Sequence, residues 1–377
     1  MKFAALGDIA FCGHFSSNVE GKVFQDVSDF LCSADVVIGN LEGPLTVHEK
    51  GVPDKCRLSG YPGWAKALKH SGVGVVSLAN NHTMDYGIPG LNQTLDALKE
   101  AGIVAVGAGH NIKDALAPAI IHINGFRVAI LARTSVHVSS HSRAGKRIPG
   151  VAFFDQKETA DSIKAAKGIS DIVVLLMHWG LEEYQYPTPD QKRLAYSLIS
   201  AGADVILGHH PHVVQGIEYI ENKLVAYSLG NFLFDDFGWY YHSPTEGERY
   251  VTQKLNKGNR KGMILKFEVD PGSGFVQSVF PVFTLCEKNG PILIDQSPLR
   301  KKEFNRIGRR LKSSMYATRW QLHALSREWD LRIRPMLFPN DFFSKLKKLR
   351  FHHVHERMNR IGRSIRVLMG KTTNPYE

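Results

Sequence analysis

The chain has 377 residues, 43% hydrophobic and 10% aromatic, which supports a sizeable core in one large domain with an appendage, or in two domains, and excludes a mainly disordered polymer. Its formal charge of +11 is uneven: residues 300–377 carry 20 Lys and Arg against 6 Asp and Glu, so the tail is +14 and residues 1–299 are −3. The four cysteines, Cys12, Cys32, Cys56 and Cys286, form no C-x-x-C pair, which excludes a zinc ribbon or dithiol redox motif and suits reduced thiols in a cytosolic protein.

The amino terminus, MKFAALGDIAFCG, has a short apolar run that ends at Asp8. It is too short for a signal peptide, and no later window approaches the ~18 apolar residues of a membrane span. The chain is therefore expected to start directly in a strand and to stay in the cytoplasm. Further apolar runs follow in ADVVIGNLE, VGVVSLANNH, IVAVGAG, FRVAILAR, DIVVLLMHWG, ADVILGHH and LVAYSLGNF. Helical patterns separate several of them, YPGWAKALKHSG, IPGLNQTLDALKEAG and TPDQKRLAYSLISAG, each closing on a helix-terminating glycine. This alternation predicts an α/β architecture with a largely parallel sheet covered on both faces. Residues 262–285 read as an antiparallel hairpin around DPGSG. From about residue 296 the pattern turns helical, so a boundary is expected near 295, between a domain of residues 1–295 and a basic, mainly helical region of residues 296–377.

Polar residues follow the apolar runs with regularity: Asp8, Asn40 with Glu42, Asn80 with Asn81 and His82, His178, His210 with His212, and Asn231. In parallel sheets such positions converge on one crevice at the carboxyl ends of the strands. Each residue alone has a plainer reading: Asp8 as a helix cap, Glu42 and Asn80 in turns, His178 as a satisfied core histidine. Together they form a set of hard oxygen and imidazole donors without thiolate, suited to a pair of divalent first-row ions and to phosphate-ester hydrolysis.

The stretches GNLEGPLT, SLANNHTMDYG and MHWGLEEYQYPTPDQKRLAYSLISAGADVILGHHPHVVQGIEYIENKLVAYSLGNFLFD resemble the CapA family of bacterial capsule-synthesis proteins, named for poly-γ-glutamate capsule formation. That family is similar to the calcineurin-like metallophosphoesterases. The resemblance implies a four-layer α/β/β/α sandwich around two divalent ions, Mn, Fe or Zn. It implies Asp8, Glu42 and His212 on the first ion, and Glu42 as a bridge with Asn81, His178 and His210 on the second. His82 matches a general acid, which Asp85 would orient. Asn231 and Asp235 belong to the family signature as supporting or substrate groups. His209 is a candidate for the substrate cleft, and Arg57 for anion recognition through its bidentate geometry. The sequence departs from the superfamily at Ala10, where a histidine is usual; His14 lies out of that register.

Two remaining features are open. RTSVHVSSHSRAG offers Arg133, His137, His141 and Arg143 as an anion-contact segment or a solvated loop. In 342–369, Phe342, Phe343, Leu346, Leu349, Val354, Met358, Ile361, Ile365 and Leu368 recur at helical spacing opposite Lys and Arg. Such a helix would lie on an anionic membrane surface, placing the protein peripherally at the inner face, or pack on the main domain. No nucleic-acid motif accompanies the charge, so no nucleic acid is expected as partner. The expected function is hydrolysis of a phosphorylated or polyanionic envelope-polymer substrate. The alternative is a non-catalytic assembly subunit that binds an acidic polymer or a membrane-bound synthase complex.

Overall fold

Unbroken runs of Val, Ile, Leu and Ala have no polar side to show to water, so they form strands covered on both faces. A computed structural model describes residues 1–17, 19, 21–53, 55–136, 142–243 and 247–328. Its first large sheet runs Ile292–Ile294, Val276–Cys286, Lys261–Val269, Lys2–Ile9, Val36–Leu41, Val75–Ser77, Val104–Val106, with Asn231–Leu233 also paired to Lys2–Ile9. The four strands from Lys2–Ile9 onward are mutually parallel, whereas Lys261–Val269 and Val276–Cys286 form an antiparallel hairpin at one side. The second sheet runs Ile217–Ile220, Lys223–Ala226, Val205–His209, Ile172–His178, Phe126–Thr134, Ala119–Ile123, again with a parallel centre and antiparallel edges.

The side chains show how the sheets stack. Along Ile172–His178, Val174 and Leu176 pack with Phe3, Ile38 and Val75 of the first sheet. Val173, Leu175 and Met177 alternate to the other face and meet Ile163, Leu198 and Ile199 of the helices Gln156–Lys167 and Pro189–Ser200. On the far side of the first sheet, Leu6, Val37 and Val76 meet Leu31, Leu68 and Leu98 from three further helices. The order is helix, sheet, sheet, helix, the four-layer sandwich. Local patterning predicts one sheet under two helical covers; there are two sheets, each covered by helices on one face and by its partner on the other. An apolar run reads the same whichever cover it receives.

The helix-closing glycines act through their backbone. Gly72 and Gly202 have φ of +104° and +118°, and each donates to the carbonyl three residues back (Lys69, Ile199) while the next residue donates to the carbonyl five back (Leu68, Leu198). This turns the chain sharply into the following strand.

Two more helices, Pro298–Leu311 and Tyr316–Glu328, lay Ile307, Leu311, Tyr316, Trp320 and Ala324 into the outer core of the second sheet. Positions 304, 307 and 311, then 316, 320 and 324, recur at helical spacing, as a buried stripe requires. The amphipathic stretch 342–369, His137 and His141 lie outside the described residues. No described helix is long and apolar enough to cross a membrane.

Candidate metal centre

At the carboxyl ends of the parallel strands the covering neighbours stop, and polar groups share a crevice between the two sheets. Asp8 stands opposite Asn40 on one neighbouring strand and Asn231 on the other. His178 stands opposite His209, and the loop that follows carries His210 and His212. Asp8, Glu42, His178 and His210 are buried. His210 and His212 have φ of +94° and +55°, a region that bulky side chains avoid, at a cost of about 1–3 kcal/mol each.

The hydrogen bonds aim the donors inward. Asn40 Nδ2 donates to Asp8 Oδ1 at 2.9 Å, and the His210 amide donates to Asp8 Oδ2 at 3.2 Å. His212 Nδ1 donates to Asn231 Oδ1 at 2.9 Å and lies 3.4 Å from Asp8 Oδ2, which leaves its Nε2 facing Glu42 Oε1 at 3.6 Å. His178 Nε2 is 2.9 Å from Asn81 Oδ1 and 3.9 Å from Glu42 Oε1. Both Glu42 carboxylate oxygens and His210 Nδ1 are buried without a hydrogen-bond partner. A buried polar atom left so costs about 1–3 kcal/mol, and three of them around one point fit an ion that they share. In each of two groups of donors the ligand atoms lie within 4.8 Å of one another: Asp8, Glu42 and His178 form one, and Glu42, His210 and His212 the other. Glu42 is common to both. Contacts also cross between these groups: His212 lies 3.4 Å from Asp8 and 3.6 Å from Glu42, and His178 lies 2.9 Å from Asn81.

Charge follows from burial and proximity. Burial drives the protons off His178 and His210, with neighbouring imidazoles adding to it; His178 falls well below the usual range and His210 to about 4, so both are neutral donors at pH 7. Burial pushes Glu42 well above the usual carboxylate range against the pull of His212. Burial also opposes charge on His212, but the carboxylates of Glu42 and Asp8 outweigh it and raise this imidazole well above its ordinary value. Glu42 therefore ionises less readily and His212 holds its proton more readily than in water, so acid competes with an entering cation for this pair. Apparent affinity for a divalent ion should rise with pH across the neutral range and fall as acid refills the pair. Calorimetric titrations in buffers of different ionisation enthalpy should register net proton release; equal heats in all of them would contradict it.

Beside these donors, His82 Nδ1 donates to Asp85 Oδ2 at 2.7 Å. Asp85 is buried and also accepts from the Leu58 amide at 2.8 Å and from Lys55, which in addition donates to the Asn81 carbonyl. Asn80 closes this turn, its side-chain oxygen accepting from the amides of His82 and Thr83 at 3.0 and 2.9 Å.

Several expected substrate groups have other partners. His209 is buried between the sheets and donates from Nε2 to the Leu6 carbonyl at 3.0 Å, tying one sheet to the other. Asp235 is buried, accepts from both terminal nitrogens of Arg260 at 3.3 Å and from the Asn289 amide at 3.2 Å, and so anchors loops. Asn231 spends its amide on His212 and on the Asn259 carbonyl, 2.8 Å away. Arg133 is buried in a two-pronged pair with Glu158 at 3.2 and 3.0 Å, and Arg143 stacks 3.4 Å over Phe153, so neither serves as a free anion contact. Arg57 is half-buried against Gly51, without an ion-pair partner among the described residues. At position 10, Ala10 is buried with Cys12, Leu58 and Phe234, while His14 sits in the turn Gly13–Ser16. Sequence reading passed over Lys55, whose loop has no periodicity, and Glu182, which sits where a cavity meets the donors.

That cavity, about 720 Å³, opens beside Asn81 and His210 and has Phe153, Phe154 and Trp179 in its walls. The fold and the site together define a four-layer α/β/β/α protein with a buried carboxylate–imidazole centre between its sheets. Residues 2–236 match the family model described as bacterial capsule synthesis protein PGA_cap, and the chain belongs to that family. It is 39% identical over 246 residues to the capsule biosynthesis protein CapA of Bacillus anthracis, covering 62% of this chain and 59% of that one. It is 36% identical over 273 residues to the PGA biosynthesis protein CapA of Bacillus subtilis, covering 71% and 70%. A probable polyglutamine synthesis accessory protein of Mycobacterium tuberculosis is 32% identical over 228 residues, covering 57% and 60%. The chain thus spans about three fifths of the first of these relatives.

Proposed function

We propose that this protein is a metal-dependent phosphoesterase acting on a phosphate ester in capsule or envelope polymer synthesis. The observation that carries the reading is Glu42, a buried carboxylate with both oxygens unpartnered and shared by two donor groups. Asp8, Glu42, His178, His210 and His212 would hold two divalent ions, with Asn81 beside them. When bound, such ions neutralise phosphoryl oxygens and lower the pKa of a water. The chain's own groups do the rest. Asn231 fixes the tautomer of His212, and His82, held by Asp85, gives a proton to the leaving oxygen. The neighbouring cavity takes the organic part of the ester. Its charged lining residues are Glu182, Asp190 and Arg193, the last paired with Asp190, so this wall suits an uncharged group better than a second anion.

The test is metal content together with hydrolysis of an aryl phosphodiester and an aryl monoester by the wild type, His210→Ala and Asn81→Ala. Each variant should lose ions and at least ~10²-fold in turnover, the cost of removing one transition-state stabiliser elsewhere. Equal activity in all three proteins would reject the proposal. A second reading, a non-catalytic accessory subunit, draws on the printed name of the mycobacterial relative and on Ala10 in place of a nitrogen donor. It expects ions to bind without turnover of either ester.

A further inference from the structure

The segment after the His178 strand is gripped residue by residue from the two C-terminal helices. Tyr316 donates to the Pro187 carbonyl at 2.6 Å, and Trp320 and Arg310 reach the Tyr186 carbonyl and hydroxyl at 3.3 and 2.5 Å. Gln185 donates to Glu303 at 2.9 Å, and Tyr184 stacks on Trp320 with Arg327 4.7 Å over its ring. At the near end Arg327 takes both acceptors of Glu183, the carbonyl and, at 2.8 Å, the carboxylate. Glu183 in turn donates its amide to the Pro211 carbonyl at 2.7 Å. Pro211 lies between His210 and His212, the two ligand positions held at positive φ, and Glu183 is itself at φ +60°.

We propose that Arg327 is a positioning residue for the metal centre: through Glu183 it fixes Pro211, and with it the His210 and His212 side chains. The inference rests on the metal-centre reading above. It reaches from beyond residues 2–236, the portion that the family model matches, into the ligand loop. Strained backbone persists only where its surroundings over-determine it, and the Glu183 amide is one such constraint. That amide is held in place by an arginine that supplies two donors to one residue, a geometry lysine cannot reproduce. The other helix contacts with this segment land on residues 184–187, and more fall elsewhere, such as Lys192 on the Leu311 carbonyl at 2.7 Å, so docking of the helices and support of the ligand loop are separable.

The experiment titrates Mn(II) alone, and separately Co(II) alone, into the metal-free full chain, reading affinity by calorimetry and ligand geometry by the visible absorption of Co(II). Arg327→Ala should weaken Mn(II) binding by about 10–100-fold, the range for groups that orient ligands, and should alter the Co(II) spectrum. Arg327→Lys should recover only part of this. Tyr316→Phe, which loosens the same helix without touching Glu183, should leave the Mn(II) affinity within about twofold even where it lowers Tm. Glu183→Gln, which keeps the backbone amide, should shift affinity in the same direction as Arg327→Ala and serves if that variant fails to fold. Wild-type affinity and spectrum in Arg327→Ala, or in Glu183→Gln where that variant stands in, would overturn the inference, as would an equal loss in Tyr316→Phe. Failure of the wild type to bind either ion would instead bring down the metal-centre reading on which the inference stands.

Discussion

Replacing Glu42 with leucine should abolish metal binding and, in the metal-free protein, raise stability. The two effects come from the same two oxygens. Each donor group contains Glu42, so its loss leaves Asp8 and His178 on one side and His210 and His212 on the other without their shared carboxylate. Turnover should fall by more than the ~10²–10³ that loss of a single stabilising donor costs. In the metal-free protein the same oxygens are buried with no hydrogen-bond partner, and burial has already pushed the carboxyl toward its neutral form. Leucine has a similar volume and nothing to desolvate. His212 is not left alone, since Asp8 Oδ2 lies 3.4 Å from its Nδ1. Thermal unfolding of metal-free Glu42→Leu should therefore show a gain of about 1–3 kcal/mol, the cost of an unsatisfied buried group, and addition of Mn(II) should stabilise only the wild type. A variant destabilised before any ion is added would mean that Glu42 has a structural partner after all. Opposite signs for stability and function are what a site kept at the expense of the fold produces.

How far the sequence goes toward this picture depends on the distance over which each group acts. Asp8, Asn81, His178 and His210 each lie within three residues of the end of an apolar run, so their place at a strand end is readable from near neighbours. The helix ends are equally local, as Gly72 and Gly202 show. What the apolar runs leave undecided is the second cover of each strand. Val174 and Val173 are the same residue type in the same run, yet one faces a sheet and the other a helix layer. Polar residues are less legible still. His209 looks like its two neighbours in GHHPH, and only the Leu6 carbonyl, 203 residues away, makes it a tie between sheets. Asp235 stands in a family motif, but Arg260 and the Asn289 amide occupy it. Arg133 looks available until Glu158 is seen beside it. Arg327 and Glu183, 144 residues apart, have no shared pattern at all.

These placements also change how the centre is understood. Strand ends supply its ligands, but amides and loops hold them: Asn40 on Asp8, Asn231 on His212, Asn80 closing the turn that carries Asn81 and His82. None of these amides titrates, so the supporting frame stays the same over the pH range in which the Glu42–His212 pair gains and loses protons. Proton-linked changes in metal affinity therefore do not originate in these amides.

The second large effect is expected at His82 and is selective. Its Nδ1 is committed to Asp85, which leaves Nε2 as the nitrogen able to give up a proton, and Asp85 is fixed in turn by Lys55 and the Leu58 amide. A positioned general acid contributes roughly 10²–10⁴-fold, but only where the leaving oxygen needs the proton. His82→Ala should therefore slow hydrolysis of an alkyl phosphate ester by that range while affecting a nitrophenyl ester far less, because nitrophenolate departs unprotonated. Metal content should not change, since His82 belongs to neither donor group. Asp85→Asn should fall between, keeping the shape while removing the charge that holds His82 and Lys55. An equal loss on both esters, or lost ions in His82→Ala, would make His82 a structural neighbour of Asn81 rather than a proton donor. The comparison of leaving groups separates the two because a displaced ligand loop slows every ester, whereas a missing proton slows only those that need one.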